Sequence, residues 1–439
     1  MLSRKGSSGT TPAHPGTNAE RLIEVAAPAP PGDERRGHGF AERGHPVGRP
    51  DGAESDILLT LGRGNAAYPH MGDGMHYAYA MRDAPVPGAT AVADAAPPVR
   101  LRSVQVAHPN HRVTQAETVA LLGRVTGEYK RLAALARGSA IRQRAVVLPP
   151  EQLLHLGGAG ARNAVYWAEA PTLALRAARL AMIGPLERVT CLATSSCTGF
   201  HLPGVGVELQ SQLGLPARIR RIPLTDPGCA GGVVAIGLAA EQLAARPNSG
   251  TAALAVAVEL CSLSLHHDVS RGSLTAALIF ADGAGAALLE EGPGPGLRIV
   301  DTASLLIPAS QGLLSFELND GGFSPVLERE LVDVLPPQMH SAVATLLHRN
   351  GLAPGDVAAW LIHPGGARIL RRLERCLALP EGSTRWSWDS LGEYGNTSSA
   401  AIFDVLRRYL EDGPRRGEWA IVAGFGPGVA IELLLLQAC

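Results

Sequence analysis

Cys229 is the residue best placed for covalent chemistry, because it stands in DPGCAGGVVAIG where an apolar strand gives way to a helix. Unpaired N–H groups and the macrodipole at a helix N-terminus favour an anion, so a thiol there loses its proton more easily and becomes a nucleophile. Glycine on both sides lets backbone and substrate approach closely. Most cysteines are inert fillers, and this setting separates Cys229 from that default. A thiolate also needs a group to handle its proton and donors to hold a developing oxyanion. His363, in LIHPGG, lies at the mouth of another buried strand, beside residues without bulk. Asn396, in LGEYGNTSSA, marks a loop-to-helix junction. Alone, the histidine reads as structural and the asparagine as an N-cap. Together with Cys229 at equivalent element ends, they form a nucleophile, a proton acceptor and an amide donor. Such a trio fits acyl transfer between thioesters and fits cysteine hydrolysis as well, whereas a non-enzymatic scaffold would have no use for a thiolate.

The elements that must position these residues alternate along the chain. RLRSVQVAHP reads as a first strand, TQAETVALLGRVTGEYKRLAALA as an amphipathic helix and APTLALRAARLAMIGP as a second helix. The strand VTCLATSS precedes the helix GVGVELQSQLG, and the strand IRRIPLTD precedes the helix VVAIGLAAEQLAAR. TAALAVAVELCS reads as a buried strand, and TAALIFADGAGAALLEE as two strands around a Gly-rich turn. The second half repeats this plan: a helix in SPVLERELVDVLPPQMHSAVATLLHRNG, the strand AAWLIHP, the helix GGARILRRLERCL, a loop carrying EYGN, the helix TSSAAIFDVLRRYLE, and a terminal hairpin in EWAIVAGFGPGVAIELLLL. Two tandem βαβαββ units packed face to face predict an α/β fold of five layers, αβαβα. The boundaries predicted are a disordered leader over 1–99, a half carrying the cysteine over 100–295, and a half carrying histidine and asparagine over 296–439. The leader is rich in Gly, Pro, Ala, Asp and Arg and lacks sustained period, apart from the patch ILLTL at Ile57–Leu61.

Bulk properties exclude several function classes. The 39 Lys and Arg against 40 Asp and Glu leave no global field to recruit nucleic acid or an anionic membrane, so an anionic ligand must meet a local basic patch. Six cysteines across 439 residues are too sparse for a disulfide framework and read as free thiols. The apolar run from Thr251 to Leu265 is short of the roughly 18 residues that a spanning helix needs, and Glu259 interrupts it. With no apolar signal segment at the N-terminus, a cytoplasmic protein is expected.

GCAGG, WLIHPGG, LGEYGNTSSA and GFGPG stand in the order and nearly the wording found in type III polyketide synthases, the chalcone-synthase-like enzymes of the thiolase superfamily, which the chain resembles from about Leu101 to its end. The resemblance implies that Cys229 takes an acyl group from a coenzyme A thioester. It implies that His363 and Asn396 promote decarboxylation of malonyl-CoA onto an acyl-CoA or malonyl-CoA starter, and that the histidine can pair with the Cys229 thiolate. Coenzyme A thioesters are then substrates, with no metal or redox cofactor, and a homodimer is implied, its interface within Cys197–Val207. Phe280 and Phe316 match the family's gatekeepers. Cys197, Thr198, Cys261, Ser264, Ser398, Gly424, Phe425 and Pro427 match cavity positions, and a cysteine at 197 is a feature of bacterial members, including makers of tetrahydroxynaphthalene. For the coenzyme A entrance the candidates are Arg131, Arg137 and Arg142, in a register shifted from the family's basic cluster, with Gly365, Gly366 and Arg368. The rival within the fold is an initiating ketoacyl-acyl-carrier-protein synthase; the rival outside it is a Cys-His-Asn hydrolase.

Overall fold

The computed structural model describes residues 97–245, 250–264 and 270–439. The leader and its ILLTL patch lie outside the described residues, apart from residues 97–99. Nine strands form the main sheet. From edge to edge they are Val357–Ile362, Trp419–Gly426, Ala430–Ala438, Leu297–Leu306, Val99–Ala107, Asp282–Glu291, Ala252–Leu260, Val189–Ser195 and Arg220–Leu224. The two first strands of the halves meet at its centre through only two residue pairs, Arg100 with Arg298 and Leu101 with Leu297. On either side the order is mirrored: the half's last strand, the strand before it, then the strands that run parallel to that one, two in the first half and one in the second.

Burial explains which sequences became which strands. Ala252–Leu260 (AALAVAVEL) and Asp282–Glu291 are buried at every position, so both faces are covered and a continuous apolar run suits them. Arg220–Leu224 is an edge strand with no fully buried residue, and it tolerates two arginines and a proline. The helices Gly231–Ala244 and Ala401–Glu411 pack against strands of both halves and form the middle layer. Helix Ala159–Ala181 covers the outer face of the first half, and Leu331–Arg349 with Ala367–Cys376 covers that of the second. No helix among the described residues is long and apolar enough to cross a membrane.

Four local expectations are corrected. TAALIF is not a strand but the end of helix Arg271–Ile279, which Ser270 caps by accepting from the Ser273 N–H. A short apolar run has no period to tell helix from strand, and its alanines and leucines favour the helix once it is capped. The long early helix breaks into Gln115–Thr126 and Tyr129–Arg137 at Gly127, which adopts a left-handed φ of 73°. GFSPVL forms a strand, Gly322–Leu327, paired with Leu314–Asn319 in a hairpin outside the main sheet. The stretch before EYGN is helical, Arg385–Tyr394, and the loop is confined to the residues after it.

Helix Gly231–Ala244 supplies a test of how tightly the middle layer is packed. A methyl at Gly232 would strike the Ser399 carbonyl oxygen and reach within 2.7 Å of Ile402, whereas one at Gly237 meets Leu434 at an ordinary 3.6 Å. Gly232→Ala is therefore expected to lose about 1–3 kcal/mol in denaturant unfolding. Gly237→Ala should gain about 0.5–1 kcal/mol by restricting the unfolded chain and improving helix propensity. Equal responses at the two glycines would contradict the packing.

Candidate active site

Cys229 sits in a short 3-10 turn, Gly228–Ala230, that leads directly into helix Gly231–Ala244. The turn is wedged against the last hairpin. Gly228 has a left-handed φ of 51°, and a side chain there would meet Pro427 at 2.5 Å. A side chain at Gly426 would collide with the Pro227 carbonyl oxygen, and one at Gly424 would lie 2.8 Å from Val233. Gly424 and Pro427 thus act by packing against the nucleophile's turn, and neither lines the cavity onto which Cys229 faces. Phe425, between them, does line it.

That cavity has a volume of about 880 Å³ and brings together Cys229, His363, Asn396, Phe280 and Phe425 from both halves of the chain. His363 follows strand Val357–Ile362 and is fully buried. Its N–H donates to the Ala423 carbonyl at 2.8 Å, which fixes the backbone against the neighbouring strand. Its ring stands edge-on to Phe425, centroids 5.1 Å apart. Only a glycine fits at 365, because a side chain there would come within 2.7 Å of the Phe425 ring. Asn396 is held by its own backbone, which donates to Ile279 O at 2.8 Å and accepts from the Ala281 N–H at 2.9 Å. Its Oδ1 accepts from the Ser398 N–H at 2.8 Å, and its Nδ2 donates to Gly365 O at 3.3 Å. An amide nitrogen carries two hydrogens, so one N–H is left for a ligand.

The electrostatics differ from the expected thiolate paired with the histidine. The Cys229 thiol donates to Ser398 Oγ at 3.4 Å, and both imidazole nitrogens of His363 lack a hydrogen-bond partner among the described residues. Burial pushes the thiol up to about 12 and the imidazole down to about 3, against a weaker pull from the Ser398 hydroxyl on the thiol. Desolvation outweighs the helix end and favours the uncharged form of both groups. A neutral imidazole with free nitrogens in the same cavity is nevertheless the form of histidine that can accept a thiol proton.

The remaining site residues divide into four groups. Phe316 is half-buried and packs on Phe280 with centroids 6.0 Å apart, backing the gate without lining the main cavity. Cys261 and Ser264 line a second, smaller cavity of about 50 Å³, which shares Phe280 and Pro325 with the first. Cys197, Thr198 and Ser398 are buried behind the nucleophile instead of lining its cavity. Cys197 Sγ lies 3.6 Å from Ser398 Oγ, so one hydroxyl touches both thiols. At the entrance, Gly365, Gly366 and Arg368 line the cavity, whereas Arg131, Arg137 and Arg142 are exposed and do not line it.

Two groups escaped the sequence reading. Glu259 is fully buried and accepts from the Cys197 N–H at 3.1 Å, from the Thr198 hydroxyl at 2.8 Å and from the Ser399 hydroxyl. A carboxylate inside an otherwise apolar strand was its signal, since such groups are buried only with partners. Asp282 likewise accepts from Val147 N at 2.6 Å and Ser262 N at 2.7 Å, while Arg144 donates to Phe280 O at 2.9 Å and so fixes the gate's backbone.

A duplicated α/β unit with Cys, His and Asn converging on one buried chamber defines a condensing enzyme of thiolase-like fold that transfers acyl groups. Family models described as chalcone and stilbene synthases match its N-terminal domain at residues 88–293 and its C-terminal domain at 298–439, and the chain belongs to that family, the type III polyketide synthases. Among its relatives, the 1,3,6,8-tetrahydroxynaphthalene synthase of Streptomyces peucetius subsp. caesius is 32% identical over 76% of this chain and 92% of that protein. The phloroglucinol synthase of Pseudomonas fluorescens is 29% identical over 75% of this chain and 96% of that protein. The crystal structure of the tetrahydroxynaphthalene synthase from Streptomyces coelicolor superposes with a TM-score of 0.73 at 31% identity, covering 77% of this chain and 99% of that one. The crystal structure of PKS-I from the brown alga Ectocarpus siliculosus gives a TM-score of 0.72 at 26% identity, covering 79% of this chain and all of that one.

Burial raises the Glu259 carboxyl from 4.5 to about 7. A raised folded value means that this group's stability contribution is complete below about pH 4.5 and is lost as pH rises through about 7. Gln mimics the protonated form: its oxygen can take the Cys197 and Thr198 donors while its nitrogen faces the Ser399 hydroxyl. Glu259→Gln should therefore remove on the order of 3 kcal/mol from the wild-type fall in unfolding free energy between pH 5 and 8. An unchanged pH slope would contradict a carboxyl that titrates in this range.

Proposed function

We propose that this enzyme builds a short polyketide by repeated decarboxylative condensation of malonyl-CoA onto a thioester starter held on Cys229, then cyclises and releases it. The observation that carries the reading is the single cavity lined by Cys229, His363 and Asn396 behind Phe280. In loading, Cys229 Sγ attacks the starter carbonyl as His363 takes the thiol proton, and coenzyme A leaves as its thiol when that proton is returned. Malonyl-CoA then loses carbon dioxide, and the electron pair of the broken C–C bond becomes an enolate. The free N–H of Asn396 and an N–H of His363 hold the enolate oxygen. The enolate carbon attacks the Cys229 thioester, the C–S bond breaks with its electron pair on sulfur, which regains a proton by way of His363, and a chain longer by two carbons sits on coenzyme A, ready to reload. These steps call for no metal or redox cofactor. The relatives named for tetrahydroxynaphthalene and phloroglucinol support a small aromatic product and a malonyl or other acyl starter, with a pyrone as the other ring that such a chain can close.

A cytoplasmic homodimer fits this reading. Within Cys197–Val207, Phe200 is 58% and Leu202 is 77% exposed, an apolar pair at the position of the expected interface. Sedimentation should show a dimer that Phe200→Ser with Leu202→Ser shifts toward monomer, and an unchanged mass would place the interface elsewhere.

Carbon dioxide release and product formation from labelled malonyl-CoA, with several starters offered, test the chemistry. Cys229→Ala should form no product yet still decarboxylate malonyl-CoA. Asn396→Ala and His363→Ala should each lower decarboxylation by about 10²- to 10³-fold. No carbon dioxide and no oligoketide from the wild type would overturn the proposal.

A further inference from the structure

We propose that Arg162 is a positioning residue for product length: its buried guanidinium holds the Cys261–Ser264 turn, and through it the wall of the smaller cavity, in one place while the polyketide grows. The proposal rests on the function inferred above. Among the described residues, Arg100, Arg144 and Arg162 are the buried arginines. Arg100 pairs with Glu290 at 2.9 Å, and Arg144 lies in the field of Asp282. Arg162 has no acid beside it among the described residues. Its Nη1 donates to Leu263 O at 2.8 Å and its Nη2 to Leu156 O at 3.4 Å, while its Nε is buried without a partner. Burial lowers its proton affinity with no carboxylate to oppose the effect. A cation held in the interior by carbonyl oxygens alone costs free energy that an apolar side chain of similar length would not. Stability of the fold therefore gives no reason for it, whereas the group it touches does.

Leu263 belongs to the 3-10 turn Cys261–Ser264, and the side chains of Cys261, Ser262 and Ser264 line the smaller cavity beside Phe280. The turn is tied at three successive points. The Leu260 N–H just before it donates to Thr198 Oγ1 at 2.9 Å. Ser262 donates to Asp282 through its N–H at 2.7 Å and its hydroxyl at 2.5 Å. Arg162 takes the Leu263 carbonyl, and this third tie alone comes from helix Ala159–Ala181. The start of that helix holds the neighbouring elements as well. The Ala159 N–H donates to Asp320 O at 2.8 Å, in the hairpin that lends Pro325 to both cavities. Asn163 clasps the backbone of Phe200, its Nδ2 donating to the carbonyl and its Oδ1 accepting from the N–H, each at 2.8 Å. The Tyr166 hydroxyl donates to Ser196 Oγ at 2.7 Å, and its ring fills the space that a side chain at Gly199 would need. One stretch of helix thus sets a hairpin and two loops relative to one another. None of these bonds involves Cys229, His363 or Asn396, which are anchored by Ser398, Ala423, Ile279, Ala281 and Gly365. Wall and chemistry are held separately, so a displaced wall should change how long the chain grows and spare the steps that make and break bonds.

The test compares the wild type with Arg162→Met and Arg162→Lys, using labelled malonyl-CoA and one acyl-CoA starter. It reads the product profile, the rate of carbon dioxide release and thermal unfolding. In Arg162→Met, carbon dioxide release should stay within about twofold, while the ratio of prematurely released pyrones to full-length product rises about tenfold, because the growing chain is no longer oriented. Its Tm should stay within about 3 °C of the wild type, since loss of the carbonyl bonds is offset by loss of an unpaired buried charge. Arg162→Lys keeps a donor for Leu263 O and should return most of the wild-type profile. An unchanged profile in Arg162→Met overturns this proposal alone, as does a lysine variant that behaves like the methionine one. A methionine variant that fails to fold, or that loses carbon dioxide release and product in equal proportion, also overturns it, because the arginine would then serve the fold as a whole. A wild type that makes no oligoketide overturns the proposed function with it.

Discussion

The site depends on one close approach: the Cys229 turn must touch the other half of the molecule with almost no side chain between them. Gly228 lies against the Pro427 ring, Gly231 against Ser399 and, within its own half, Ser195, and Gly232 against the Ser399 carbonyl. Each sets a glycine backbone against a proline ring, a serine side chain or a carbonyl, and a methyl group at the glycine would force them apart. The nucleophile belongs to the first half and its partners to the second, so the chamber they share exists only while these glycines hold the halves at that spacing. The middle layer of Gly231–Ala244 and Ala401–Glu411 carries the same constraint into the core, where Gly285 leaves no room beyond the Phe403 ring.

Placing the chemistry at the meeting of two apolar halves has an electrostatic cost. Cys229 and His363 are both stripped of water, and each is pushed toward its neutral form. The protein offsets part of this with hydroxyls in place of charges: Ser398 touches Cys229 and Cys197, while Ser399 and Thr198 donate to Glu259. A chain of short polar side chains therefore runs from the nucleophile into the core. It keeps the site dry and polarised without an ion pair, and charge need appear only as bonds are made. Ser398 adopts a left-handed φ of 51°, a strained conformation for a residue with a side chain, and it is the residue on which both thiols converge.

Sequence reading located the trio and the duplicated α/β plan because both leave local marks. Strand ends rich in glycine, a cysteine before a helix and an asparagine before a small-residue helix are legible one segment at a time. What it missed depended on distance in space. Gly424 and Pro427 of GFGPG matched cavity positions, yet Gly424 packs on Val233 and Pro427 on Gly228. TAALIF had too few residues for its period to show, so its helix stayed hidden. The expected thiolate followed from the helix end and, by resemblance, from pairing with the histidine, and overlooked how deeply the halves bury both groups. Glu259 was visible as an anomaly in an apolar strand, but its partners come from two separate segments, Cys197–Thr198 and Ser399.

Intact-protein mass spectrometry of the enzyme mixed with an acyl-CoA starter tests the central claim most directly. The account predicts a mass gain of one acyl group that maps to the Cys229 peptide and vanishes in Cys229→Ala. No covalent gain, or a gain that maps to Cys197 or Cys261 and survives that substitution, would contradict it.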